Sequence, residues 1–274
     1  ITNNNNNFNF SIKDRIIAIT GACGTLGNEY VNALIENDAV VLMIDRSQQN
    51  PVEKAKRLAS DHGKIVFGYE CDLTSEDNIK STILEIEKNF TQLDVVINNA
   101  AVTGEDLLSL GTQNAFPTFE NYPLELWDLV IKINLTAPFL IARESYRLLK
   151  KSKNASLINV SSIYGVVAPD HRIYEDMEFS SFAAYSASKS GVHGLTKWLS
   201  TYWGKKNIRV NTLSPGGVDN NHNKEFKNRY SHRVPLGRMA NPDDMLGTVI
   251  YLASDASKYC TGHNFIVDGG LSVW

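Results

Sequence analysis

The chain alternates short, continuous apolar runs with longer segments whose apolar residues recur at helical spacing. Apolar runs rich in β-branched residues are typical of parallel strands buried on both faces, and the amphipathic segments are typical of helices that cover such a sheet. The alternation predicts an α/β, doubly wound Rossmann fold with a seven-stranded parallel sheet in a single domain. We predict strands at residues 15–20, 40–44, 65–69, 93–97, 156–160, 208–213 and 265–267, and helices at 26–37, 51–61, 75–90, 124–151, 182–205 and 242–254.

Two segments, residues 102–122 and 167–181, do not fit this alternation, and each follows the carboxyl end of a predicted strand. Ligands of such sheets bind at the carboxyl ends of the strands, where long loops are often functional. We therefore expect both segments on the ligand side, either contacting a substrate or only shielding the site. Their polar and aromatic residues are Glu105, Asp106, Gln113, Asn114, Phe116 and Phe119 in the first, and Asp170, His171, Arg172, Tyr174, Glu175 and Asp176 in the second.

The composition is that of an ordinary globular protein, with 43% hydrophobic and 21% charged residues in 274. A net charge of −3 without basic runs argues against nucleic acid as a partner, and no apolar run has the length of a membrane span. The Asn-rich residues 1–12 are predicted to be a flexible tail without signal-peptide character, and residues 13–274 to form the single Rossmann-fold domain. The three cysteines lack metal-site or disulfide spacing, so we expect no metal and a reducing cytoplasm.

The motif TGACGTLG at residues 20–27 joins the first strand to the first helix. Its glycines, Gly21, Gly24 and Gly27, let backbone N–H groups at a helix N-terminus approach a phosphate. Asp45 follows the second strand, eighteen residues after Gly27, where a carboxylate can accept both ribose hydroxyls of NAD. Arg46 keeps binding of NADP possible, because an arginine there can pair with the 2′-phosphate of NADP. The alternative interpretation of Asp45 is a surface turn or a cap of the next helix.

With these residues the sequence resembles the classical short-chain dehydrogenase/reductases from residue 13 to 270. The likeness rests on TGACGTLG at 20–27, CDL at 71–73, NNAA at 98–101, Asn134, Ser162, Tyr185 with Lys189, SPG at 214–216 and VDGG at 267–270. Two details depart from the classical pattern. Gly24 gives the turn the glycine spacing of the extended members of the family, which often act on nucleotide sugars. In addition, NNAA replaces the classical NNAG. The sequence looks most like members associated with bacterial surface-sugar biosynthesis, on the evidence of the SSIYG motif, the insert after it and SPGGV. Gluconate-type sugar-acid dehydrogenases are the second most similar group.

The resemblance implies a cofactor site for NAD, with NADP possible. In it Asp72 would contact the adenine, Asn98 would lie near the ribose, and residues 215–218 would pack on the nicotinamide. Without the family, Asp72 and Asn98 would be interpreted as loop caps. The family's usual threonine after SPG is replaced by Asn220, which puts that cofactor contact in doubt. The predicted cofactor residues are Gly21, Gly24, Thr25, Leu26, Gly27, Asp45, Arg46, Asp72, Leu73, Asn98, Ala100, Pro215, Gly216 and Val218.

The spacing YxxxK occurs three times, beginning at Tyr146, Tyr185 and Tyr202. Only Tyr185 with Lys189 follows the serine-bearing strand and lies in the first turns of the next helix. In family terms Tyr185 exchanges the proton, Lys189 lowers its pKa and binds the nicotinamide ribose, Ser162 hydrogen-bonds the substrate oxygen, and Asn134 holds a water. Ser161 is interpreted as a structural neighbour, and Asn134 alone would be interpreted as a cap.

These residues favour an NAD(P)-dependent oxidoreductase that interconverts a secondary alcohol and a ketone, on a sugar or sugar derivative, with His171 or Arg172 recognising any anionic group. The alternatives are a 3-oxoacyl thioester reductase, a nucleotide-sugar epimerase or dehydratase, and a non-catalytic nucleotide-binding protein. Helices 124–151 and 182–205 carry apolar residues on more than one face, and related enzymes pair through them. We therefore expect a homodimer or homotetramer.

Overall fold

The computed structural model describes residues 9–104, 107, 117–177 and 179–274. Within them, seven parallel strands form one sheet in the order β3-β2-β1-β4-β5-β6-β7. The order reverses between β1 and β4, which confirms the predicted doubly wound Rossmann fold. The strands are β1 Ile16–Thr20, β2 Val40–Asp45, β3 Val66–Glu70, β4 Val95–Asn98, β5 Ala155–Val160, β6 Ile208–Pro215 and β7 Asn264–Val267.

The α-helices of the described residues pack on both faces of the sheet. They are α1 Thr25–Glu36, α2 Pro51–His62, α3 Glu76–Asn89, α4 Leu124–Ile131, α5 Ala137–Leu149, α6 Ala183–Trp203, α7 Lys224–Ser231 and α8 Leu246–Ala253. One buried cluster joins α1 and α8 to the sheet through Tyr30, Leu34 and Val249, among others. A second, on the opposite face, joins α3, α5 and α6 to it through Ile83, Ile141 and Leu199.

The helix predicted at residues 124–151 is interrupted, which corrects the prediction of one continuous element. A π-helical turn, Lys132–Thr136, separates α4 from α5 and contains Asn134. A π-turn inserts one extra residue into the helical ladder, and such turns are frequent at functional sites. Apolar periodicity alone does not reveal it, because the residues on either side remain helical.

Helix α7 was not predicted from the sequence. Asn223 caps it, since its side chain accepts a hydrogen bond from the Phe226 amide at 2.8 Å. Phe226 and Tyr230, four residues apart, are its buried residues. This cap and this pair of aromatic residues are the signal that could have identified the helix.

The insert at residues 167–181 packs against α7. Ile173, Tyr174 and Phe179 of the insert meet Phe226 and Tyr230 in a third apolar cluster. The insert is therefore a wall beside the carboxyl ends of the strands. In the other insert, Glu105, Asp106, Gln113, Asn114 and Phe116 lie outside the described residues, and Phe119 is exposed.

No helix among the described residues is long and apolar enough to cross a bilayer. In the same part of the chain, no cluster of three or more His, Cys, Asp or Glu side chains is placed to hold a metal ion. The first eight residues of the predicted Asn-rich tail lie outside the described residues.

Candidate active site

The predicted site residues gather at one edge of the sheet. Strands β1, β2, β4, β5 and β6 are parallel and end in succession at Thr20, Asp45, Asn98, Val160 and Pro215. The loops that follow them therefore open on the same side, around the point between β1 and β4 where the strand order reverses. This edge holds both the glycine turn and the Ser162 and Tyr185 segments.

The glycine turn depends on two of its three glycines. Gly21 has φ +64°, and a Cβ there would lie 2.7 Å from the Ala100 Cα. A Cβ on Gly27 would lie 2.0 Å from the Gly21 carbonyl oxygen, whereas one on Gly24 would meet that oxygen at an ordinary 3.5 Å. Gly24 is therefore not required by the packing of the turn. The backbone at the start of α1 stays bare, which suits a phosphate group.

The Asp45 carboxylate is held by the backbone. One oxygen accepts the Cys23 amide at 2.8 Å, and the other accepts the Arg46 amide at 2.8 Å. These hydrogen bonds aim the carboxylate at the glycine turn and leave further lone pairs on each oxygen. The Arg46 side chain is exposed beside it.

Burial, followed by the charge of Asp45, raises the pKa of the Cys23 thiol to about 11. The thiol therefore stays protonated near neutral pH, and Cys23 acts as a small filling residue rather than as a nucleophile.

Two predicted cofactor residues use their side chains within the protein. The Asn98 amide donates to Asn159 Oδ1 at 2.8 Å and to the Pro138 carbonyl at 3.4 Å, so it ties β4 to β5. One Asp72 oxygen accepts both the amide and the hydroxyl of Thr74. The second Asp72 oxygen has no partner among the described residues and remains available to an adenine.

The segment after β6 is shaped by close backbone packing. The Gly216 amide donates to the Val267 carbonyl at 2.8 Å, and a Cβ on Gly216 would lie 2.8 Å from the Asp268 Cα. Val218 pairs with Ala240 in an isolated bridge. Pro215, Gly216 and Val218 thus form a turn beside the site, as predicted for a nicotinamide contact. The remaining predicted cofactor residues, Thr25, Leu26 and Leu73, lie at the start of α1 and in the loop after β3.

Lys189 is a buried cation at the centre of the site. Its side chain is 2% exposed, and its ammonium donates to the Val160 carbonyl at 3.0 Å. The same nitrogen lies 5.6 Å from the centre of the Tyr185 ring. Burial lowers the pKa of Lys189 to about 8 because an ammonium loses hydration there. The structure therefore pairs Tyr185 and Lys189 next to the end of β5.

The SSIYG segment brings Ser162 beside this pair. Ser162 Oγ accepts the Tyr164 amide at 3.2 Å, which leaves its hydroxyl proton for another acceptor. Ser161 instead donates to the Lys189 carbonyl at 2.8 Å and contacts His193 Nε2 at 3.2 Å. A Cβ on Gly165 would lie 2.8 Å from the Lys189 carbonyl, so this glycine permits close packing on α6. The interpretation of Ser161 as a structural neighbour agrees with these contacts.

Asn134 uses both ends of its side-chain amide. Its oxygen accepts the Val102 amide at 2.7 Å, and its nitrogen donates to the Val102 carbonyl and to Ser188 Oγ. Ser188 in turn donates to the Tyr185 carbonyl at 2.7 Å. The side chain therefore fixes the π-turn to the helix that carries Tyr185.

The other two YxxxK pairs lie away from this edge. Tyr146 stacks on Trp203 within the core cluster of α5 and α6. Tyr202 is exposed and stacks on Trp198. Neither tyrosine contacts the serine segment, which agrees with the choice of Tyr185.

The sequence does not predict a pair of tyrosine hydroxyls that lies near the Ser162 segment. Tyr164 follows Ser162 by two residues, and its hydroxyl lies 2.8 Å from that of Tyr174 in the insert. A further hydroxyl, on Tyr230, accepts the Gly217 amide. Tyr164 belongs to the SSIYG motif, but the sequence does not show that the insert folds back onto it.

The comparisons agree with this arrangement. Residues 21–272 match a family model described as enoyl-(acyl carrier protein) reductase. The chain belongs to the short-chain dehydrogenase/reductase family, whose members are oxidoreductases that act on alcohol and ketone groups.

Relatives with known names fall into different substrate groups. A post-translational flagellin modification protein of Campylobacter coli is 28% identical over 96% of this chain and all of its own length. A sorbose reductase of Candida albicans is 30% identical over 96% of this chain and 89% of its own length. Relatives of similar identity include 3-oxoacyl-[acyl-carrier-protein] reductases.

Among solved structures, a short-chain dehydrogenase from Leptospira borgpetersenii with bound NAD⁺ has a TM-score of 0.82 to this chain. It is 33% identical, and the match covers 95% of this chain and 94% of the other. The chain is thus similar over nearly its whole length to a dehydrogenase that binds NAD⁺.

The buried Lys189 predicts a specific pH dependence of stability. Its pKa is lower in the folded protein than in the unfolded chain, so between these values the unfolded chain binds more protons and stability rises with pH. From about pH 7.5 to about pH 9.5 the free energy of unfolding should rise by about 2 kcal/mol more in the unmodified protein than in Lys189→Met. Urea unfolding of both proteins at the two pH values measures the difference. Equal changes in the two proteins would contradict a lowered pKa.

Proposed function

We propose that this protein is an NAD-dependent dehydrogenase that interconverts a secondary hydroxyl and a ketone on a sugar or sugar derivative. The observation that carries the proposal is the placing of Ser162, Tyr185 and a buried Lys189 beside a wall of aromatic and hydroxyl-bearing side chains. The relatives named above support both the chemistry and a small polar substrate. A cytoplasmic location stays a prediction.

The described residues fit a dinucleotide. Gly21 and Gly27 keep the turn before α1 free of side chains, so its amides can bind the pyrophosphate. Asp45 would accept the adenosine ribose hydroxyls, and its fixed negative charge disfavours a 2′-phosphate. The Asn98 side-chain nitrogen is used within the sheet, whereas its buried Oδ1 has no hydrogen-bond partner among the described residues and would be the atom that accepts a hydrogen bond from the cofactor. When bound, the nicotinamide supplies the hydride chemistry.

In the proposed mechanism, Tyr185 exchanges a proton with the substrate oxygen. An ordinary phenol has a pKa of about 10, so a phenolate near neutral pH needs about 3–4 kcal/mol of stabilisation. The Lys189 cation, 5.6 Å from the Tyr185 ring, favours the phenolate through a buried and weakly screened interaction. Ser162 would donate its hydroxyl proton to the same substrate oxygen and hold it in place.

Asn134 would contribute through its main chain. Both polar atoms of its side chain are already hydrogen-bonded. A π-turn changes the local pairing of main-chain carbonyls, so a water of the proton relay would bind there. The role proposed for Asn134 therefore depends on the shape of the turn and not on a free side chain.

The substrate proposal is supported by the wall that the insert forms. Tyr164 and Tyr174 bring two hydroxyls together there, and polyhydroxylated ligands need hydrogen-bond partners with aromatic faces. The acyl thioester alternative draws on the name of the family model and on the reductases among the relatives. It would call for an open apolar slot, whereas the apolar residues of the insert pack against α7.

The expected recognition of an anion by His171 or Arg172 has less support. The Arg172 guanidinium pairs with both oxygens of Asp170 at 2.8 Å, and its side chain is 79% exposed. His171 is also exposed. A neutral sugar is therefore favoured over an acidic one.

We further propose that the protein forms a homodimer or homotetramer through α5 and α6. Trp198 and Tyr202 stack at 4.7 Å on α6, and each is more than half exposed. Phe139 on α5 is also exposed, with Arg143 over its ring. Exposed aromatic residues grouped on helix surfaces are typical of interfaces.

Replacing Tyr185 tests the catalytic assignment. Tyr185→Phe removes the group that accepts the alcohol proton and should abolish sugar-dependent formation of NADH, followed by its absorbance, while NADH affinity stays within about twofold. Tyr146→Phe and Tyr202→Phe are matched controls and should remain active. Appreciable turnover by Tyr185→Phe would end the assignment.

Replacing Asp45 tests the cofactor preference. The unmodified protein should have a higher kcat/KM with NAD than with NADP, and Asp45→Ala should shift this ratio toward NADP by tenfold or more because it removes a fixed negative charge. Asp61→Ala, at an exposed position of α2, should leave the ratio unchanged. A preference of the unmodified protein for NADP would mean that Arg46 decides the selectivity.

Disrupting the stacked aromatics tests the assembly. Sedimentation at micromolar concentration should show a dimer or tetramer, and Trp198→Glu with Tyr202→Glu should reduce it to a smaller species because charges are buried at the interface. Leu84→Glu, on the exposed face of α3, should not change the mass. A monomeric unmodified protein would refute the proposal.

A further inference from the structure

The contact between the Tyr164 and Tyr174 hydroxyls uses only one of their two protons. When two hydroxyls bond to each other, one donates and the other keeps its own proton. Among the described residues neither hydroxyl has another hydrogen-bond partner besides this 2.8 Å contact. One phenolic O–H at this position is therefore free to donate to an acceptor that binds there.

The pair lies close to the predicted catalytic residues. The Tyr164 amide donates to Ser162 Oγ, and the neighbouring Tyr185 contributes to the raised pKa of both Tyr164 and Tyr174. Burial is the main cause that raises the pKa of the Tyr164 and Tyr174 hydroxyls, and charge on neighbouring tyrosines adds to it. Both hydroxyls therefore stay protonated, and the free one is a donor throughout the working pH range.

The position of Tyr174 is held from several sides. Its ring packs on Phe179 and on Phe226, with ring centres 5.9 and 5.5 Å away. Asp170 starts the short helical turn that carries Tyr174, by accepting the Arg172 amide, and forms an ion pair with Arg233. A donor fixed in this way loses little entropy on binding an acceptor.

Unfilled space lies beside Tyr164. Tyr164 lines a cavity of about 90 Å³, whose polar lining also includes Asp170, Tyr230, Arg233 and Ser272. The side chain of Tyr164 therefore borders space between the insert and the C-terminal residues.

We propose that the Tyr164–Tyr174 pair binds a second oxygen of the substrate, next to the carbon that is oxidised. The pair then selects vicinal diols and hydroxyketones over simple secondary alcohols and ketones. This inference rests on the proposed function, because it uses the Ser162 and Tyr185 site for the reacting oxygen.

The test compares two alcohols of the same ring size. Vicinal cyclohexanediol and cyclohexanol differ by one hydroxyl, and each is oxidised with NAD⁺ by the full-length protein. The unmodified protein should have the higher kcat/KM for the diol. Tyr164→Phe combined with Tyr174→Phe removes both phenolic protons and should reduce this preference by about three- to tenfold, the size expected for one hydrogen bond, with little change for cyclohexanol.

The single variants and a control sharpen the test. Tyr164→Phe and Tyr174→Phe each leave one hydroxyl whose proton no longer goes to its neighbour, so neither single variant should lose more preference than the double variant. Tyr251→Phe removes a hydroxyl of α8 that contacts the Cys260 sulfur, and it should leave kcat/KM for both alcohols unchanged. NADH fluorescence titration checks that each variant binds cofactor.

The outcomes separate the two proposals. An unchanged preference, or an equal loss for both alcohols, would overturn the role of the pair while the oxidoreductase assignment stands. Oxidation of a sugar but not of the diol would overturn this inference alone. Failure of the unmodified protein to oxidise the two alcohols or any sugar in a Tyr185-dependent way would overturn the proposed function, and this inference with it.

Discussion

The site is built around one buried positive charge. The Lys189 ammonium is almost completely removed from solvent, and the described hydrogen bond that it donates goes to the last residue of β5. Burying a cation costs several kcal/mol unless other groups compensate, so the surrounding elements must be placed closely. Gly165 and Ser161 meet the Lys189 main chain, and Ser188 with Asn134 fixes the preceding turn. A change in any of these contacts would move the cation relative to Tyr185.

The substrate side and the cofactor side are joined through α7. Tyr230 packs with the insert on one side, and its hydroxyl accepts the Gly217 amide in the turn predicted to meet the nicotinamide. A Cβ on Gly217 would overlap the Tyr230 ring, so the two are in direct contact. The wall that holds Tyr174 and the turn predicted to meet the nicotinamide therefore form one packed unit, in which a shift of one displaces the other.

The scaffold could be predicted from the sequence, and candidate reacting residues could be chosen from it, because each has a local signature. All seven strands were found within two residues at each end, since β-branched runs and turn residues mark them. Tyr185 was separated from two equivalent spacings by its place after the serine strand. The π-turn at Asn134 and helix α7 were missed, because the first leaves the helical periodicity intact and the second is short and polar on most positions.

The contacts that we propose to select the substrate could not be predicted in the same way. Tyr164 and Tyr174 lie ten residues apart, and their hydroxyls meet only because the insert folds back and packs on Phe226. Arg172 shows the converse, since its charge suggested anion recognition but Asp170 binds it. A charged residue in a loop has many possible partners, and an intramolecular carboxylate two residues away has a large advantage in effective concentration over a free ligand. The hydroxyl of Tyr174 is therefore the group of the insert that we propose to meet a substrate, whereas Asp170 and Arg172 pair with each other within the insert.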